Sequence, residues 1–452
     1  MTLFDPGVKV HIVGVGGAGM SGLARLLVES GANVSGSDLA DSVVLEALRT
    51  LGVSVALGHD ASNSTGAQFV LWSPAVKGDN VELIAARESG AVLLSRAQVL
   101  ADLAQSRPVV GLSGTHGKTT ATSMMVHVMR AARRDAGRLL GADVLGVGAN
   151  GHWGINDVIV EIDESYGTFA LVRPHALGLL NVEADHLDHY ATLASLERAF
   201  AELIDRTKGP VVTWSDDAGC QRVANIATRE VVQVGTRDAE WRVNDVTVGR
   251  HDARFTLRGP RVEQRLTLNV TGVHNVADAA VVAVLAAQLN VPFDAITAGL
   301  ASFQGAPRRF ELLGSWRGVD VFESYAHLPG EVAAILGATR AAGYERITAV
   351  FQPHRVTRTI ALAEDFAPSF DLATTVIVTD IYSAGEPNPT GVTGEVVAQA
   401  ITRRGAGATT TYCAAIEDVP TVLEAVHDVS DVVVLLGAGD VATIATTLRG
   451  MT

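Results

Sequence analysis

The sequence has 452 residues, a formal net charge of −14, 48% hydrophobic residues and 19% charged residues. This composition excludes a disordered chain, and the negative charge argues against a general nucleic-acid or anionic-membrane surface. Two cysteines, Cys220 and Cys413, are too few for a disulfide framework or a zinc site, which fits a reducing compartment.

The first predicted element is an apolar run, Val8 to Val13, that has the length of a buried strand. It is followed by three glycines in the spacing GxGxxG, namely Gly14, Gly16 and Gly19. Next come a helical pattern over Met20 to Glu29 and an acidic residue, Asp38, at the end of a second apolar stretch. Glycines let the backbone approach a phosphate, and a helix N-terminus offers unpaired N–H groups to its negative charge. The motif predicts a diphosphate site, but taken alone it also fits the nicotinamide cofactor of a dehydrogenase.

Strand-like runs alternate with helical patterns through the first hundred residues, which is typical of βαβ units. A polar stretch ending at Pro108 interrupts the alternation, and the segment SFQGAPRRF around Pro307 interrupts the chain again. Beyond it, the runs RITAVFQPH, TVIVTDIYS and DVVVLLGAGD are typical of buried parallel strands. We therefore predict an α/β fold with three domains, over residues 1–107, 108–307 and 308–452.

The second domain opens on PVVGLSGTHGKTT, Pro108 to Thr120, a buried strand that runs into a Gly-rich turn and then into a helical pattern. The spacing departs from GxxxxGK[ST], because Leu112 stands where the first glycine belongs. Even so, the backbone N–H groups of such a turn wrap a phosphate, Lys118 reaches the β- and γ-phosphate oxygens, and Thr119 holds Mg²⁺. The alternative is a Gly-rich turn with an incidental lysine.

An apolar strand further along, in VIVEIDESYGTF over Val158 to Phe169, carries three carboxylates at its end: Glu161, Asp163 and Glu164. Carboxylates beside a phosphate loop suit Mg²⁺, a hard cation that prefers oxygen ligands. For Asp163 and Glu164, a solvated turn is an equal alternative.

GTHGKTT at Gly114 to Thr120, preceded by the opening GVGGAGMSGLA, strongly resembles the Mur ligases, and the resemblance covers essentially the whole chain. It implies a Rossmann-like first domain that holds a UDP-sugar, a central ATP-binding domain and a Rossmann-like last domain that helps to bind an amino acid. It also implies an ADP-forming, ATP- and Mg²⁺-dependent ligase. The reaction would join L-alanine to the lactyl carboxylate of UDP-N-acetylmuramate through an acyl phosphate, in peptidoglycan precursor synthesis.

The resemblance also assigns roles to individual residues. The UDP-sugar would contact Gly16, Gly17, Ala18, Gly19, Met20, Asp38 and Ser73, although Ser73 alternatively is a turn residue at a strand end. ATP would contact Gly114, Thr115, His116, Gly117, Lys118, Thr119, Thr120, His274 and Asn275. The metal would be held by Thr119, Glu161 and His186, and the catalytic set would be Lys118, Glu161, His186, Arg309 and His327. The substrate carboxylates would meet Tyr325, Arg355 and Arg358; exposed arginines on a solvated face are the alternative.

Four positions depart from the family pattern: Asp278, Ser324, Leu328 and Gly330. The four departures, and the fact that other ligases of the same reaction class use the same sugar, leave two further interpretations open. One is an impaired or inactive relative that binds nucleotide or UDP-sugar; the other is a recycling ligase that joins a preformed peptide to the same sugar. The retained lysine, carboxylate and arginines favour the active ligase, and the dehydrogenase interpretation recedes.

The N-terminus lacks a basic segment followed by an apolar one, and the most apolar later stretch, Ala277 to Leu289, is too short to cross a bilayer. We therefore expect a cytoplasmic protein without membrane insertion, present as a monomer or a homodimer.

Overall fold

The structure is a computed structural model that describes residues 2–73, 76–164, 168–183, 190 and 192–450. The described residues form a mixed α/β fold with three β-sheets, of five, ten and six strands. The predicted α/β class with three sheet-bearing parts is confirmed. Cys220 and Cys413 are both buried and free.

The first sheet is entirely parallel and has the strand order β3-β2-β1-β4-β5. Its strands are β1 (Lys9–Val13), β2 (Asn33–Asp38), β3 (Ser54–Leu57), β4 (Phe69–Trp72) and β5 (Val92–Ser95). Its helices are α1 (Ala18–Glu29), α2 (Val43–Thr50), α3 (Val81–Glu88) and α4 (Arg96–Ser106). This order is that of a Rossmann-like sheet, in which ligands bind at the carboxyl ends of the strands where the winding reverses. Here the reversal lies between β1 and β4, where the glycine loop follows β1.

The second sheet has the order β15-β14-β13-β12-β11-β10-β6-β9-β7-β8. Its strands are β6 (Val109–Ser113), β7 (Gly137–Leu139), β8 (Gly151–His152), β9 (Val158–Glu161), β10 (Ala176–Leu179), β11 (Val211–Trp214), β12 (Val232–Gly235), β13 (Trp241–Val248), β14 (Ala253–Gly259) and β15 (Val262–Leu268). Its helices are α5 (Lys118–Ala131), α6 (Thr168–Leu171), α7 (Leu193–Arg206), α8 (Ala218–Ile226), α9 (Val273–Gln288) and α10 (Phe293–Ser302). Strand β6 runs parallel to both of its neighbours, β9 and β10, so the carboxyl ends of these three buried strands meet at one edge.

The third sheet has the order β16-β17-β21-β18-β19-β20; β16 is antiparallel to β17, and the remaining neighbours are parallel. Its strands are β16 (Arg309–Trp316), β17 (Val319–Ser324), β18 (Ile347–Phe351), β19 (Thr375–Val378), β20 (Thr409–Tyr412) and β21 (Val432–Leu436). Its helices are α11 (Pro329–Ala341), α12 (Val356–Phe366), α13 (Glu395–Arg404), α14 (Val419–Ala425) and α15 (Thr443–Gly450). The three runs predicted as parallel strands in this part of the sequence contain β18, β19 and β21.

The chain divides into two compact units. One comprises Met1–Thr247, Arg254–Asn269 and His274–Gln304, and the other comprises Val248–Ala253, Val270–Val273 and Gly305–Thr452. The first unit thus contains the first sheet and, apart from Val248 and Ala253, the second sheet. Buried side chains on either side of Arg107, such as Leu103 and Val109, belong to one hydrophobic core. The predicted domain limits at 107 and 307 remain predictions.

Candidate active site

A cleft of about 690 Å³ opens at the carboxyl ends of β1 and β4. Among the predicted UDP-sugar residues, those that line it are Gly16, Gly17, Asp38 and Ser73. The backbone N–H of Gly16 donates to the Asp38 carboxylate over 2.8 Å, so this acidic residue fixes the glycine loop itself. The remaining predicted residues, Ala18, Gly19 and Met20, form the first turn of α1; the N–H of Met20 donates to the Gly17 carbonyl over 3.0 Å, and those of Ala18 and Gly19 have no partner within the helix.

Three basic side chains near this cleft were missed in the sequence. His59 and Lys77 line the cleft, and the Arg96 side chain packs against the first turn of α1 at Gly19. These residues follow β3, β4 and β5, and they meet only because the ends of these strands lie side by side in the sheet. No local sequence motif therefore predicts them. Lys77 and Arg96, together with the N-terminus of α1, supply the positive charge that a diphosphate requires.

Beneath the cleft lies a buried polar cluster centred on Glu82 of α3, which is 0% exposed. Its carboxylate accepts from the Ser37 hydroxyl and the Asn63 amide, each at 2.6 Å, and lies 3.3 Å from Nε2 of His11. Burial alone would raise the pKa of Glu82, but hydrogen bonds from His11, Ser37 and Asn63 outweigh burial and lower the pKa to about 2. The same Glu82 oxygen lies 3.5 Å from Nδ1 of His59, which connects the cluster to the wall of the cleft.

The Gly-rich turn after β6 leads into α5, and Gly117, at φ 81°, caps this helix. Asn181, which follows β10, holds the turn: its side chain accepts from the N–H of His116 over 2.8 Å and donates to the His116 carbonyl over 3.1 Å. Its backbone carbonyl accepts from the N–H of Thr115. The N–H groups of Lys118, Thr119 and Thr120, in the first turn of α5, have no partner within the helix. A phosphate is best bound there.

The Lys118 ammonium lies between this turn and the carboxylates that follow β9. It donates to the carbonyls of Gly114 and Thr115, over 2.7 and 3.1 Å, and pairs with Glu164 at 2.9 Å and Asp163 at 3.8 Å. Glu164 is only 1% exposed, so a solvated turn is wrong for this residue, whereas Asp163 is 30% exposed. Burial raises the pKa of Glu164 above its usual value, although the Lys118 ammonium opposes the shift.

The predicted metal ligands come only partly together. Glu161 ends β9, beside β6, and accepts from the N–H of Gly141 over 3.0 Å; Thr119 lies in the first turn of α5. His186 lies outside the described residues. Within the described ranges, no group of three His, Cys, Asp or Glu side chains is arranged to hold a metal ion. The donors that are present, carboxylates and a hydroxyl, are nevertheless hard oxygen ligands of the kind Mg²⁺ selects.

Helix α9 carries the predicted adenine-side residues at its start. His274 is exposed, Asn275 is buried, and Asp278 one turn later is buried against the phosphate loop at Gly117. The first departure from the family pattern therefore lies directly beside the predicted ATP site.

In the second unit, four side chains gather beyond β17 and β18. The rings of Tyr325 and His327 lie 5.3 Å apart, those of His327 and His354 lie 5.8 Å apart, and Arg358 Nη1 is 3.4 Å from His354 Nδ1. Burial, together with the positive charges around it, lowers the pKa of His354. Arg355, 53% exposed, lies 3.7 Å from Glu386, and a hydrogen bond from the Thr357 N–H lowers the pKa of that glutamate. The structure thus brings Tyr325, His327 and Arg358 together and places Arg355 beside an acidic side chain.

Arg309, at the start of β16, is exposed, and its neighbour Arg308 makes the specific contacts. Arg308 pairs with the buried Glu323 at 2.5 Å and donates to the carbonyls of Gly437 and Gly439 at 2.9 and 3.0 Å. Its guanidinium also lies 4.8 Å from the centre of the Tyr325 ring. The sequence indicated Arg309 from the family pattern, and only the fold reveals Arg308 as the residue that connects β16, β17 and the loop after β21.

Family models match three consecutive segments of the chain. "Mur ligase family, catalytic domain" matches residues 9–108, "Mur ligase middle domain" matches residues 112–286, and "Mur ligase, glutamate ligase domain" matches residues 308–439. A protein of Thermobifida fusca, named UDP-N-acetylmuramate--L-alanine ligase, is 39% identical over 96% of this chain and 95% of its own length. The chain belongs to the Mur ligase family.

Other relatives of this Mur ligase agree with that placement. The protein of the same name from Paenarthrobacter aurescens is 40% identical over 96% of this chain and 94% of its own length. The crystal structure of the UDP-N-acetylmuramate-alanine ligase of Thermotoga maritima matches with a TM-score of 0.83 and 26% identity, covering 98% of both chains. A murein peptide ligase of Psychrobacter arcticus shares the fold, with a TM-score of 0.69 and 22% identity over 98% of both chains.

The resemblance predicted from the sequence is therefore confirmed. As a Mur ligase, the chain is an ATP-dependent enzyme that forms amide bonds with release of ADP. The glycine loop after β1 belongs to a ligase, and the dehydrogenase interpretation is not supported. Of the helices that the structure describes, none has both the length and the apolar character needed to cross a membrane.

Proposed function

We propose that this Mur ligase joins L-alanine to the lactyl carboxylate of UDP-N-acetylmuramate, as a step of peptidoglycan precursor synthesis. The observation that carries the proposal is the 39–40% identity, over 96% of the chain, to proteins named for that reaction. The phosphate loop, with its lysine paired to the buried Glu164, supports it independently, because this is the machinery that activation of a carboxylate by ATP requires.

The reaction proceeds in two balanced steps. The lactyl carboxylate oxygen attacks the γ-phosphorus of ATP, the bond to the β-phosphate oxygen breaks, and ADP leaves with an acyl phosphate formed. The amine of L-alanine then attacks the acyl carbon, loses a proton, and expels inorganic phosphate. A free carboxylate is a poor acyl donor, whereas the acyl phosphate has a good leaving group.

Lys118 and the N-terminus of α5 neutralise the charge on the transferring phosphoryl group. To do so, the Lys118 ammonium exchanges part of its present contact with Glu164 and Asp163 for phosphate oxygens. Mg²⁺ bound by Glu161 and Thr119 would supply further charge neutralisation. His186, outside the described residues, remains a predicted member of the metal site.

We assign the UDP-sugar to the cleft after β1, with its diphosphate at the start of α1 and Asp38 and Ser73 at the walls. The cluster in the second unit receives the amino acid: Arg358 and Arg355 bind carboxylate, and Tyr325 and His327 form the adjoining surface. Arg309 stays the predicted partner of the transferring phosphate. We propose a cytoplasmic location and a monomeric or homodimeric state.

Phosphate release by the purified protein tests the proposal, with ATP, Mg²⁺, UDP-N-acetylmuramate and L-alanine each left out in turn. Phosphate release should require all four components and should be abolished by Lys118→Ala. The control is Lys208→Ala, which removes an exposed lysine elsewhere in the same unit and should leave phosphate release unchanged. Faster release with a preformed peptide than with L-alanine would favour the recycling ligase. No release, combined with binding of the UDP-sugar by calorimetry, would favour the inactive relative.

A further inference from the structure

The loop of residues 140–150, between β7 and β8, contacts both of the sites that we assign in the first unit. At its start, the N–H of Gly141 donates over 3.0 Å to the carboxylate of Glu161, a predicted Mg²⁺ ligand. At its end, the buried Asn150 side chain donates over 2.7 Å to the carbonyl of Ala18, in the first turn of α1. One loop therefore connects the assigned ATP site with the assigned UDP-sugar site.

Hydrogen bonds fix the shape of this loop and hold it on α5, the helix that follows the phosphate loop. The N–H of Leu140 donates to the Asn150 carbonyl over 2.9 Å, and the N–H of Asn150 donates to the Asp143 carboxylate over 2.8 Å. On α5, Nε2 of the buried His127 lies 3.0 Å from the Leu145 carbonyl. A shift of the loop relative to α5 would therefore break several hydrogen bonds.

Helix α1 packs on the end of the loop without a side chain between the two backbones. There is no room for a methyl group at Gly151, because it would overlap the Gly22 carbonyl. The amide nitrogen of Asn150 lies beside the same part of α1, 3.4 Å from the Ser21 hydroxyl. Because close-packed interiors deform little, this contact fixes the position of α1 relative to the loop.

The proposed reaction needs a close approach between groups held at the two sites. In our assignment, UDP-N-acetylmuramate is held through its diphosphate at the start of α1, and ATP is held through its phosphates at the start of α5. The lactyl carboxylate and the γ-phosphorus must lie about 3–3.5 Å apart and in line, and a misplacement of about 1 Å can slow such a step about a hundredfold. The rate therefore depends on where α1 lies relative to α5.

We propose that Asn150 is a positioning residue, which fixes the first turn of α1 relative to the phosphate loop and so sets the lactyl carboxylate in line with the γ-phosphate. The inference rests on the proposed function, since it takes the two sites to hold UDP-N-acetylmuramate and ATP. Loosening this contact lowers the rate of the reaction more than it lowers the affinity for either substrate.

Calorimetry and phosphate release, measured on the same proteins, test this inference. The proteins compared are wild type, Asn150→Ala and the control Asn156→Ala, which removes an exposed amide outside the loop. In Asn150→Ala, the kcat for phosphate release with all components saturating should fall at least about tenfold. The dissociation constant for UDP-N-acetylmuramate should rise by no more than about threefold, and that for ADP should stay within about twofold of wild type. Asn156→Ala should match wild type in all three measurements.

Gly22→Ala is a second variant, which displaces α1 without removing a hydrogen-bonding group. Its methyl group would lie 3.0 Å from the Leu139 side chain and 3.2 Å from the Asn150 amide nitrogen, so the packing must shift by a few tenths of an ångström. The kcat should fall at least about threefold, with ADP affinity within about twofold of wild type. If Asn150→Ala fails to fold, as judged by its melting transition, Gly22→Ala decides the outcome.

A folded Asn150→Ala or Gly22→Ala variant with the kcat of wild type would overturn the inference. A loss of ADP affinity as large as the loss of kcat would also overturn it, because the whole unit would then be loosened. Both results leave the proposed function intact. No phosphate release by wild type with all four components would overturn the inference and the proposed function together.

Discussion

Replacing Glu82 by glutamine should destabilise the first sheet strongly, although Glu82 contacts no substrate in our assignment. Its carboxylate accepts hydrogen bonds from Ser37 and Asn63 and faces His11 in a site that excludes water. The pKa of Glu82 is lowered from 4.5 to about 2, which corresponds to roughly 3 kcal/mol of stability at neutral pH. The amide of glutamine places a donor against those donors and removes the charge, so we expect a loss of that size at pH 7.

Hydrogen exchange of the amides in β1 (Lys9–Val13) measures this loss locally, which avoids treating a chain of two units as one unfolding transition. A loss of roughly 3 kcal/mol speeds their exchange about a hundredfold at pH 7. Because the folded pKa is the lower one, the stabilisation is complete above the unfolded pKa and is lost as the pH falls toward 2. At pH 3.5 the difference between wild type and Glu82→Gln should be about 1.4 kcal/mol smaller.

The control is Glu46→Gln, whose carboxylate is 73% exposed and pairs with Arg49 at 3.2 Å. That change should shift stability by less than about 0.5 kcal/mol. Equal exchange rates in wild type and Glu82→Gln at pH 7, or a difference that stays the same at pH 3.5, would refute the reasoning.

Three further predictions concern the ligase sites. Asn181→Ala removes both side-chain hydrogen bonds to His116, so ADP affinity measured by calorimetry should fall about tenfold; unchanged affinity would mean that the loop holds its shape alone. Gly117→Ala puts a methyl group against the Asp278 carboxyl at a positive φ, so ADP affinity should fall at least as far and the melting temperature should drop. In Arg308→Lys, the lysine cannot reach Glu323 and the carbonyls of Gly437 and Gly439 at the same time. The KM for L-alanine should therefore rise about tenfold, with little change in the KM for ATP. Equal changes in both KM values would contradict a role for Arg308 beside Tyr325.

Much of the fold was predictable because its signals are local. The apolar runs that became β1, β6, β18 and β21 are buried on both faces, as strands of a parallel sheet between helices must be. The phosphate loop was predictable for the same reason, since strand, Gly-rich turn and helix follow one another within thirteen residues, from Pro108 to Thr120.

The supporting residues were not predictable, because they reach the site from distant parts of the chain. Asn181 is separated from His116 by 65 positions, and Arg308 contacts Gly439 across 131 positions. Glu323 of β17 forms a buried ion pair with Arg308, and the pairing of β16 with β17 shifts in register between Arg309 and Glu311. Such pairings depend on strand register and loop closure, which local patterns do not specify.

The contact between α1 and β8 affects how the first two sheets unfold and whether the chain can be cut between them. The backbones of Gly22 and Gly151 approach so closely that a side chain on Gly151 would overlap the Gly22 carbonyl, and Asn150 donates to the Ala18 carbonyl over 2.7 Å. A fragment that ends at Arg107 would expose this face of α1 to water. It would also lack the core residues that follow Arg107 in the sequence, such as Val109 and Leu139. The first two sheets should therefore melt as a single cooperative body, and natural recombination between related ligases should exchange them as one block.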